Sequence, residues 1–303
     1  MSNPSDPSAE PESSSASMPR NVSAQERPVL LEDRQRETTT MPYKSSSNVL
    51  EVVELYYKYP SGVQTISGID FALGRGELLA ILGPSGCGKS TLLALIAELL
   101  EPTSGKMLWA EEGDRSEGQS NRELAMVFQK DTVLPWRTVE KNIQFGMECA
   151  HLSRQQRREH TQRLLEMGGL TSFAKAYPRA LSGGMRRRLA LLMGLSVQPR
   201  VLLLDEPFAA VDEPTRIQLL GDVLNLAYSY GISVILVTHD IAEAISIADR
   251  LIILTNRPSR VHRVVPIPFG HDRDVLLMRE TVEYADLYRD VWREVWGVIR
   301  GGN

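Results

Sequence analysis

The sequence predicts an α/β fold built around a largely parallel β-sheet. Three continuous apolar runs, GELLAILG at 76–83, VLLLDEP at 201–207 and SVILVTHD at 233–240, have the length and composition of strands buried on both faces. Stretches of helical length and periodicity, TLLALIAELL at 91–100 and EPTRIQLLGDVLNLAYSYG at 213–231, alternate with these runs. Because such helices act as crossover connections, the strands are expected to run parallel.

Other segments extend this architecture on both sides. VLEVVELYYKY at 49–59 and GIDFAL at 68–73 have the composition of strands. The region from about 135 to 196 is rich in helix-favouring and charged residues. We therefore predict one α/β domain at 48–268 that contains a helical part at about 130–196.

The two ends of the chain differ from this domain. Residues 1–47 are rich in Ser, Pro, Glu and Thr and poor in large apolar side chains, which predicts a disordered tail without the apolar core of a signal peptide. The segment 269–303 is predicted to be a C-terminal amphipathic helical extension. Its face could pack on the domain or contact a partner. Apolar residues recur there at spacings of three and four: Tyr284, Leu287, Tyr288, Val291, Trp292, Val295 and Trp296.

Composition excludes several classes of protein. The longest apolar stretches, such as LALLMGLSV at 189–197, fall well short of the roughly 20 residues that span a bilayer, so any membrane contact is expected through a partner. A net charge of -4 and a pI near 5.8 argue against a broad nucleic-acid-binding face. Cys87 and Cys149 form no disulfide framework or metal pattern, which favours a reducing cytoplasmic setting.

A glycine-rich motif lies between a predicted strand and a predicted helix. Residues 83–90 match G-x-x-x-x-G-K-[ST], in which backbone N–H groups and the helix N-terminus bind phosphates. Lys89 would bridge the β- and γ-phosphates and Ser90 would ligate Mg²⁺. A chance match in a glycine-rich turn is disfavoured by the flanking strand and helix. The predicted ATP-binding residues here are Gly83, Pro84, Ser85, Gly86, Cys87, Gly88, Lys89, Ser90 and Thr91.

Two acidic residues follow the apolar strand VLLLDEP. Open parallel sheets bind ligands at the carboxyl ends of their strands, which would bring Asp205 and Glu206 to the phosphate site. Asp205 would then hold Mg²⁺, and Glu206 would be the general base for the attacking water. An Asp-Glu pair after a strand is otherwise usually a solvated loop start.

Six motifs follow one another between residues 49 and 265. They are GPSGCGKST, VFQKDTVLPW with Gln129, LSGGM at 181–185, LLLDEP, AAVD at 209–212 and VTHD with His239. In this order and spacing they resemble the ATPase subunits of ABC transporters. LPWRTVEKNI at 134–143 and NRPSRV at 256–261 resemble the nitrate, sulfonate and taurine importer branch, and we expect neither stretch to touch nucleotide chemistry directly.

The resemblance implies a P-loop NTPase fold with a RecA-like core, an antiparallel β subdomain and a helical subdomain. It implies an ATPase that works with ATP and Mg²⁺ as a homodimer or heterodimer on the cytoplasmic face of the inner membrane. Its partners would be membrane permease subunits and, indirectly, a solute-binding protein, with no nucleic acid. Hydrolysis would drive uptake of a small solute such as nitrate, an aliphatic sulfonate or taurine.

The resemblance also implies roles for single residues. Tyr59 matches the aromatic residue that stacks on adenine, with Tyr56 or Tyr57 as possible core residues. Gln129 matches the glutamine that senses Mg²⁺ and the attacking water. His239 matches the switch histidine that contacts the γ-phosphate and aligns with Glu206, which makes Glu206, His239 and Lys89 the predicted catalytic residues.

The LSGGM segment would serve the partner's nucleotide. In the family it reaches across a head-to-tail dimer, so Ser182, Gly183 and Gly184 are predicted to cap the γ-phosphate held by the other subunit. A simple helix N-cap at Ser182 is the competing interpretation and is compatible with that role. The arginines of the basic run that follows could pair with acidic neighbours or add to the positive field, and for Arg187 a solvated face is the favoured expectation. Asp212 matches the loop that couples the two active sites.

Two departures from the family pattern concern regulation rather than the basic reaction. RRRLALLMGL at 186–195 lacks the glutamine and the Ala-Arg-Ala step that relatives commonly carry, and AAVD replaces the commoner Ser- or Gly-Ala-Leu-Asp. Neither removes a phosphate-contacting residue.

Other functional classes have weaker support. A DNA-repair or chromosome-organising ATPase would show coiled-coil heptads or zinc cysteines, and a translation-type relative would carry two such domains. A regulatory module that binds ATP without hydrolysing it is disfavoured by the intact Glu206 and His239.

Overall fold

A computed structural model describes residues 48–110, 124–129, 132–148, 152–209 and 211–301. The predicted tail at 1–47 and Cys149 lie outside these residues. The strands are β1 (Asn48–Lys58), β2 (Gln64–Gly74), β3 (Leu78–Leu82), β4 (Ser104–Trp109), β5 (Leu124–Val127), β6 (Val201–Asp205), β7 (Ser233–Thr238), β8 (Arg250–Leu254) and β9 (Val261–Pro266). The α-helices are α1 (Lys89–Ile96), α2 (Val139–Met147), α3 (Arg154–Met167), α4 (Gly183–Leu195), α5 (Glu213–Tyr230), α6 (Ile241–Ile247), α7 (Val275–Arg279) and α8 (Val282–Gly301).

The central sheet has six strands in the order β5-β6-β7-β3-β8-β9. The first five run parallel, and β9 pairs antiparallel with β8 at the edge. In this register Leu82 lies opposite Thr238, and Asp205 lies opposite Val237, so the carboxyl ends of β3, β6 and β7 meet at one edge. The predicted α/β fold is confirmed.

Burial on both faces explains the continuous apolar runs. On β6, Val201 and Leu203 belong to a core that includes α1, whereas Leu202 and Leu204 belong to a second core that includes α4 and α5. Successive side chains of a strand point to opposite faces, so each face needs its own apolar residue.

A second sheet, antiparallel and ordered β2-β1-β4, packs its apolar side chains into the core that contains α1. The β1 and β4 backbones approach each other closely at Gly105, where φ is +87° and an added Cβ would lie 2.1 Å from the Glu54 carbonyl oxygen. Only glycine fits this contact.

A helical region made of α2, α3 and α4 packs into the core shared with α5. The fully buried Asn142 on α2 holds the preceding loop: its amide donates to the carbonyls of Leu134, Arg137 and Thr138, at 3.1, 3.0 and 3.0 Å. This loop carries Trp136, which is 71% exposed.

The C-terminal segment contains two helices where the sequence predicts one. The second helix begins after Thr281, whose hydroxyl accepts a hydrogen bond from the Tyr284 backbone N–H at 3.2 Å. On α8, Tyr284, Val291 and Val298 are buried against α6 and the sheet, whereas Trp292 on the same helix is exposed. One face of this amphipathic helix therefore packs on the domain. Among the described residues, no helix is long and apolar enough to span a membrane.

Candidate nucleotide-binding site

The glycine-rich loop connects the buried strand β3 to α1 at the carboxyl edge of the sheet. Gly88, the residue before α1, has φ +121°, and a Cβ there would lie 2.6 Å from the Thr65 methyl group. Gly86 also has positive φ, at +74°. These two positions need glycine because L side chains rarely adopt such backbone angles.

Lys89, the first residue of α1, directs its side chain back to this loop. Its side chain is buried, and Nζ donates to the carbonyl oxygens of Gly83 and Pro84 at 2.9 and 3.0 Å. The ammonium is therefore held by the backbone of the loop that would enclose a phosphate. Burial raises the pKa of the neighbouring Cys87 thiol, which keeps that side chain neutral.

A hydroxyl and a carboxylate meet beside the lysine. Ser90 Oγ donates to Asp205 Oδ1 at 2.9 Å, which links the start of α1 to the end of β6. Burial raises the pKa of the Asp205 carboxyl, and the hydrogen bond from Ser90 opposes this shift. Oxygen atoms of this kind are the ligands that Mg²⁺ prefers, so this pair fits the predicted metal position.

The Glu206 carboxylate lies between two polar side chains from neighbouring strands. Gln129 Nε2, after β5, donates to Glu206 Oε2 at 3.0 Å, and His239 Nδ1, after β7, lies 3.2 Å from Glu206 Oε1. Glu206 itself has φ +43°, a backbone conformation that is uncommon outside glycine and that often occurs at functional sites. Three adjacent strands, β5, β6 and β7, thus bring these side chains together.

Tyr57 on β1 and Tyr59 just after it have different environments, as the sequence alternatives allowed. Tyr57 is buried in the core, whereas Tyr59 is 37% exposed, packs edge-on against Tyr57 at 4.8 Å between ring centroids, and its hydroxyl lies 3.0 Å from Thr91 Oγ1. A cleft of about 230 Å³ opens here. Its lining residues are Tyr59, Thr65, Gly86, Gly88, Lys89, Ser90, Thr91, Glu206 and Arg257.

The LSGGM segment begins α4 away from this cleft. Ser182 caps the helix by accepting a hydrogen bond from the Met185 N–H at 3.2 Å. This contact confirms the N-cap interpretation. An added Cβ at Gly184 would lie 2.5 Å from the Thr215 methyl group, whereas at Gly183 it would meet no heavy atom within 4 Å. Ser182 and Gly183 therefore present an exposed helix N-terminus.

The expectation that Arg187 lies on a solvated face is wrong. Its side chain is 5% exposed and donates to the carbonyls of Phe128 and Gln129 at 3.2 and 2.6 Å, so it holds the loop that carries Gln129. A signal was available in the sequence: Arg187, Leu191 and Leu195 recur at helical spacing, and both leucines are buried.

Asp212 caps α5, since its carboxylate accepts from the Thr215 N–H at 3.2 Å and from the Thr215 hydroxyl at 2.9 Å. These bonds lower the pKa of its exposed carboxyl. Ala210, two residues before Asp212, lies outside the described residues.

The loop after β8 contacts the phosphate loop. Arg257, in NRPSRV, donates two hydrogen bonds to the Gly86 carbonyl and lines the cleft, a contact that the sequence patterns did not indicate.

This combination of fold and site defines the class of P-loop ATPases: a parallel sheet whose carboxyl edge carries a phosphate loop, a buried lysine and paired acidic residues. A family model described as "ABC transporter" matches residues 66–209.

Two relatives show which kind of ATP-binding protein this chain is similar to. The chain is 42% identical over 214 residues to an aliphatic sulfonates import ATP-binding protein, SsuB 1, of Pseudomonas savastanoi pv. phaseolicola, covering 71% of this chain and 84% of that protein. It is 38% identical over 240 residues to the nitrate import ATP-binding protein NrtC of Synechococcus elongatus, covering 78% of this chain and 36% of that protein.

A solved structure of an ATP-binding cassette, a dimer in a post-hydrolysis state bound to ADP and Pi, is 26% identical with a TM-score of 0.61. The match covers 73% of this chain and all of that one, 100%. The chain belongs to the ABC transporter family, as an ATP-binding subunit of the importer-like type and an ATPase.

Proposed function

We propose that the protein hydrolyses ATP at the carboxyl edge of the central sheet to drive uptake of a small solute through a separate permease. The observation that carries the site is the convergence of four strand ends: the phosphate loop after β3, Gln129 after β5, Asp205 and Glu206 at β6, and His239 after β7.

In this proposal the nucleotide lies along the cleft. Adenine stacks on the exposed ring of Tyr59, and the backbone N–H groups of residues 83–91 bind the phosphates. Lys89 neutralises charge on the β- and γ-phosphates. Its buried position inside the loop supports this role.

Magnesium would be held by Ser90, Asp205 and Gln129 together with phosphate oxygens. The ion supplies charge neutralisation at the β- and γ-phosphates when bound. The 2.9 Å contact between Ser90 Oγ and Asp205 Oδ1 brings two suitable oxygen ligands together. In the described part of the chain no cluster of three or more His, Cys, Asp or Glu side chains offers a competing metal site.

Glu206 would accept the proton of the attacking water. Gln129 and His239 contact its two carboxylate oxygens, one each, and so fix the orientation of the carboxylate. His239 would also contact the γ-phosphate. A base that is oriented by two neighbours needs little rearrangement when the nucleotide arrives.

The second half of each site would come from another subunit. Ser182 and Gly183 lie exposed at the start of α4, with open space at Gly183, and do not line the cleft of their own chain. A helix N-terminus with an exposed serine hydroxyl suits a γ-phosphate. We infer a head-to-tail dimer, with Asp212 on the loop that couples its two sites.

The permease would dock beside the Gln129 loop, at the cytoplasmic membrane face. Trp136 exposes 71% of its surface there, on a loop that the buried Asn142 fixes, and Phe145 and Tyr177 are also exposed. Large exposed apolar side chains on a rigid support are typical of interaction sites. The names of the relatives favour nitrate or an aliphatic sulfonate as solute.

Glu206→Gln tests the chemistry. The amide keeps the size of the side chain but loses the basic oxygen, so we expect ATP binding to persist and turnover to fall about a hundredfold or more. Steady-state phosphate release and binding of a fluorescent ATP analogue measure the two effects. Glu159→Gln, on the exposed side of α3, is the control. Unchanged turnover in Glu206→Gln would remove Glu206 from the reaction.

The transport assignment needs a different experiment. Affinity purification of the tagged chain from native membranes should recover a multi-span permease, and the associated capture protein identifies the solute. Recovery of nucleic acid or ribosomes without a permease would contradict the transport role.

A further inference from the structure

The loop between β8 and β9 holds the phosphate loop from outside. Arg257 donates from Nε and from one terminal nitrogen to the Gly86 carbonyl, at 3.2 and 2.8 Å. Gly86 has φ +74°, in the left-handed region that glycine adopts readily. Glycine is also the most flexible residue, so its conformation depends most on an external restraint. Two donors on one carbonyl fix the orientation of this peptide.

The loop that presents Arg257 is itself anchored. The Ser259 N–H and hydroxyl both donate to the Thr65 carbonyl on β2, at 2.8 and 3.1 Å. On the other side, the Asn256 amide donates to the Val298 carbonyl on α8 at 2.9 Å. Arg257 therefore extends from a supported loop rather than from a free surface segment.

The charge of Arg257 has no local counterion among residues 48–110, 124–129, 132–148, 152–209 and 211–301: no carboxylate there lies within 4.0 Å of its guanidinium. A guanidinium carries five N–H donors, and the Gly86 carbonyl accepts from only two of its nitrogens. Arg257 also lines the cleft with Tyr59 and Lys89. A cation with spare donors thus lines a cleft suited to an anionic ligand.

We propose that Arg257 is a positioning residue for nucleotide binding, which fixes the Gly86 peptide and adds positive charge at the cleft, and so raises affinity for ATP and ADP without entering the chemical step. This inference rests on the proposed phosphate-binding role of residues 83–91. It assigns a function to NRPSRV, which the sequence patterns did not explain.

The test separates binding from chemistry. In purified full-length protein, Arg257→Gln should raise the KM for ATP about tenfold, the effect expected for loss of a charge-assisted contact, while kcat stays within about twofold. The Kd for a fluorescent ADP analogue should rise in parallel. The matched control is Arg260→Gln in the same loop, whose guanidinium contacts Ser67 Oγ instead, and its KM should equal that of the wild type.

A salt series tests the charge directly. Because ions screen exposed charges, the difference in KM between wild type and Arg257→Gln should shrink as ionic strength rises. Arg257→Lys keeps the charge but loses the two-pronged contact, so its KM should fall between the two. A merely structural role would give a difference that does not respond to salt. If Arg257→Gln fails to fold, the KM of Arg257→Lys is compared with that of the wild type over the same salt series.

Lys89→Ala tests the phosphate-loop assignment separately from the role of Arg257. If Lys89→Ala loses nucleotide binding while Arg257→Gln matches Arg260→Gln, the role of Arg257 is wrong and the phosphate loop stands. A fall in kcat with unchanged KM in Arg257→Gln would also overturn it. If Lys89→Ala binds nucleotide normally, both the phosphate-loop assignment and this inference fail.

Discussion

The phosphate-loop edge and the LSGGM segment differ in how far their polar groups are satisfied within one chain. At the edge, Ser90 bonds to Asp205, and Gln129 and His239 both contact Glu206. At the start of α4, Ser182 caps its own helix and is otherwise exposed, and Gly183 has open space beside it. One region is assembled by the fold, and the other is presented outwards.

This difference indicates which of the proposed catalytic groups a single subunit can position by itself. The groups proposed to bind Mg²⁺ and activate water are preorganised by neighbouring strands, which lowers the reorganisation needed for catalysis. The exposed N-terminus of α4 does not line the cleft of its own chain, so it would not contact a nucleotide bound there. ATP would therefore complete the site by joining the two regions across a subunit interface.

Mixing two inactive variants is the strongest test of this comparison. Lys89→Ala disables the phosphate loop, and Gly183→Asp places a carboxylate near the proposed γ-phosphate position, at a residue where an added Cβ meets no heavy atom within 4 Å. Each variant alone should be inactive. An equal mixture should recover about a quarter of the wild-type ATPase rate, because half of randomly formed dimers are mixed and each has one intact composite site.

Complementation of this kind requires that the two regions act in trans. If LSGGM served its own chain, no mixed dimer would contain an intact site and the mixture would stay inactive. Gly183→Asp should unfold at the wild-type temperature, which separates loss of a contact from loss of the fold.

Arg187 joins the two regions, and its removal should have the next largest effect. Arg187→Met leaves the carbonyls of Phe128 and Gln129 without their buried donor, which should lower the free energy of unfolding by about 2–3 kcal/mol and reduce kcat through displacement of Gln129. Urea unfolding and ATPase assays measure both. Arg158→Met, exposed on α3, is the control. Equal stability of the two variants would show that the contacts of Arg187 with the Gln129 loop do not stabilise the fold.

The catalytic edge could be predicted from sequence because its signals are local. A buried strand that ends in a glycine-rich loop or in Asp-Glu fixes both the element and the position of its functional side chain. The parallel register then brings Asp205 and Glu206 to the phosphate loop, whereas the positions of Gln129 and His239 were expected from the family resemblance. The predicted lengths of the central strands are also close to the observed ones, because burial on both faces requires a continuous apolar run.

Contacts between distant segments could not be predicted from the sequence. Arg187 and Arg257 bond to backbone carbonyls far away in sequence, and carbonyls carry no residue-specific signal. Helix α1 ends at Ile96, well before the predicted end, because Glu98 adopts φ +58° and Leu99 N–H bonds to the Ala94 carbonyl. Glycine usually occupies that cap position, so the sequence gives no warning.

The helical region should respond to acid through His160, which is buried on α3. Burial is the main cause that lowers its pKa from 6.5, and the nearby Arg163 adds to the effect. Because the unfolded chain binds this proton more readily, the free energy of unfolding should fall as pH drops through the unfolded-state value of 6.5 towards the lowered folded-state value. His160→Gln should flatten this decline in urea unfolding measured between about pH 7 and pH 5, whereas Arg158→Gln on the same helix should not. Equal pH slopes for His160→Gln and the wild type would show that another group controls the acid sensitivity of this region.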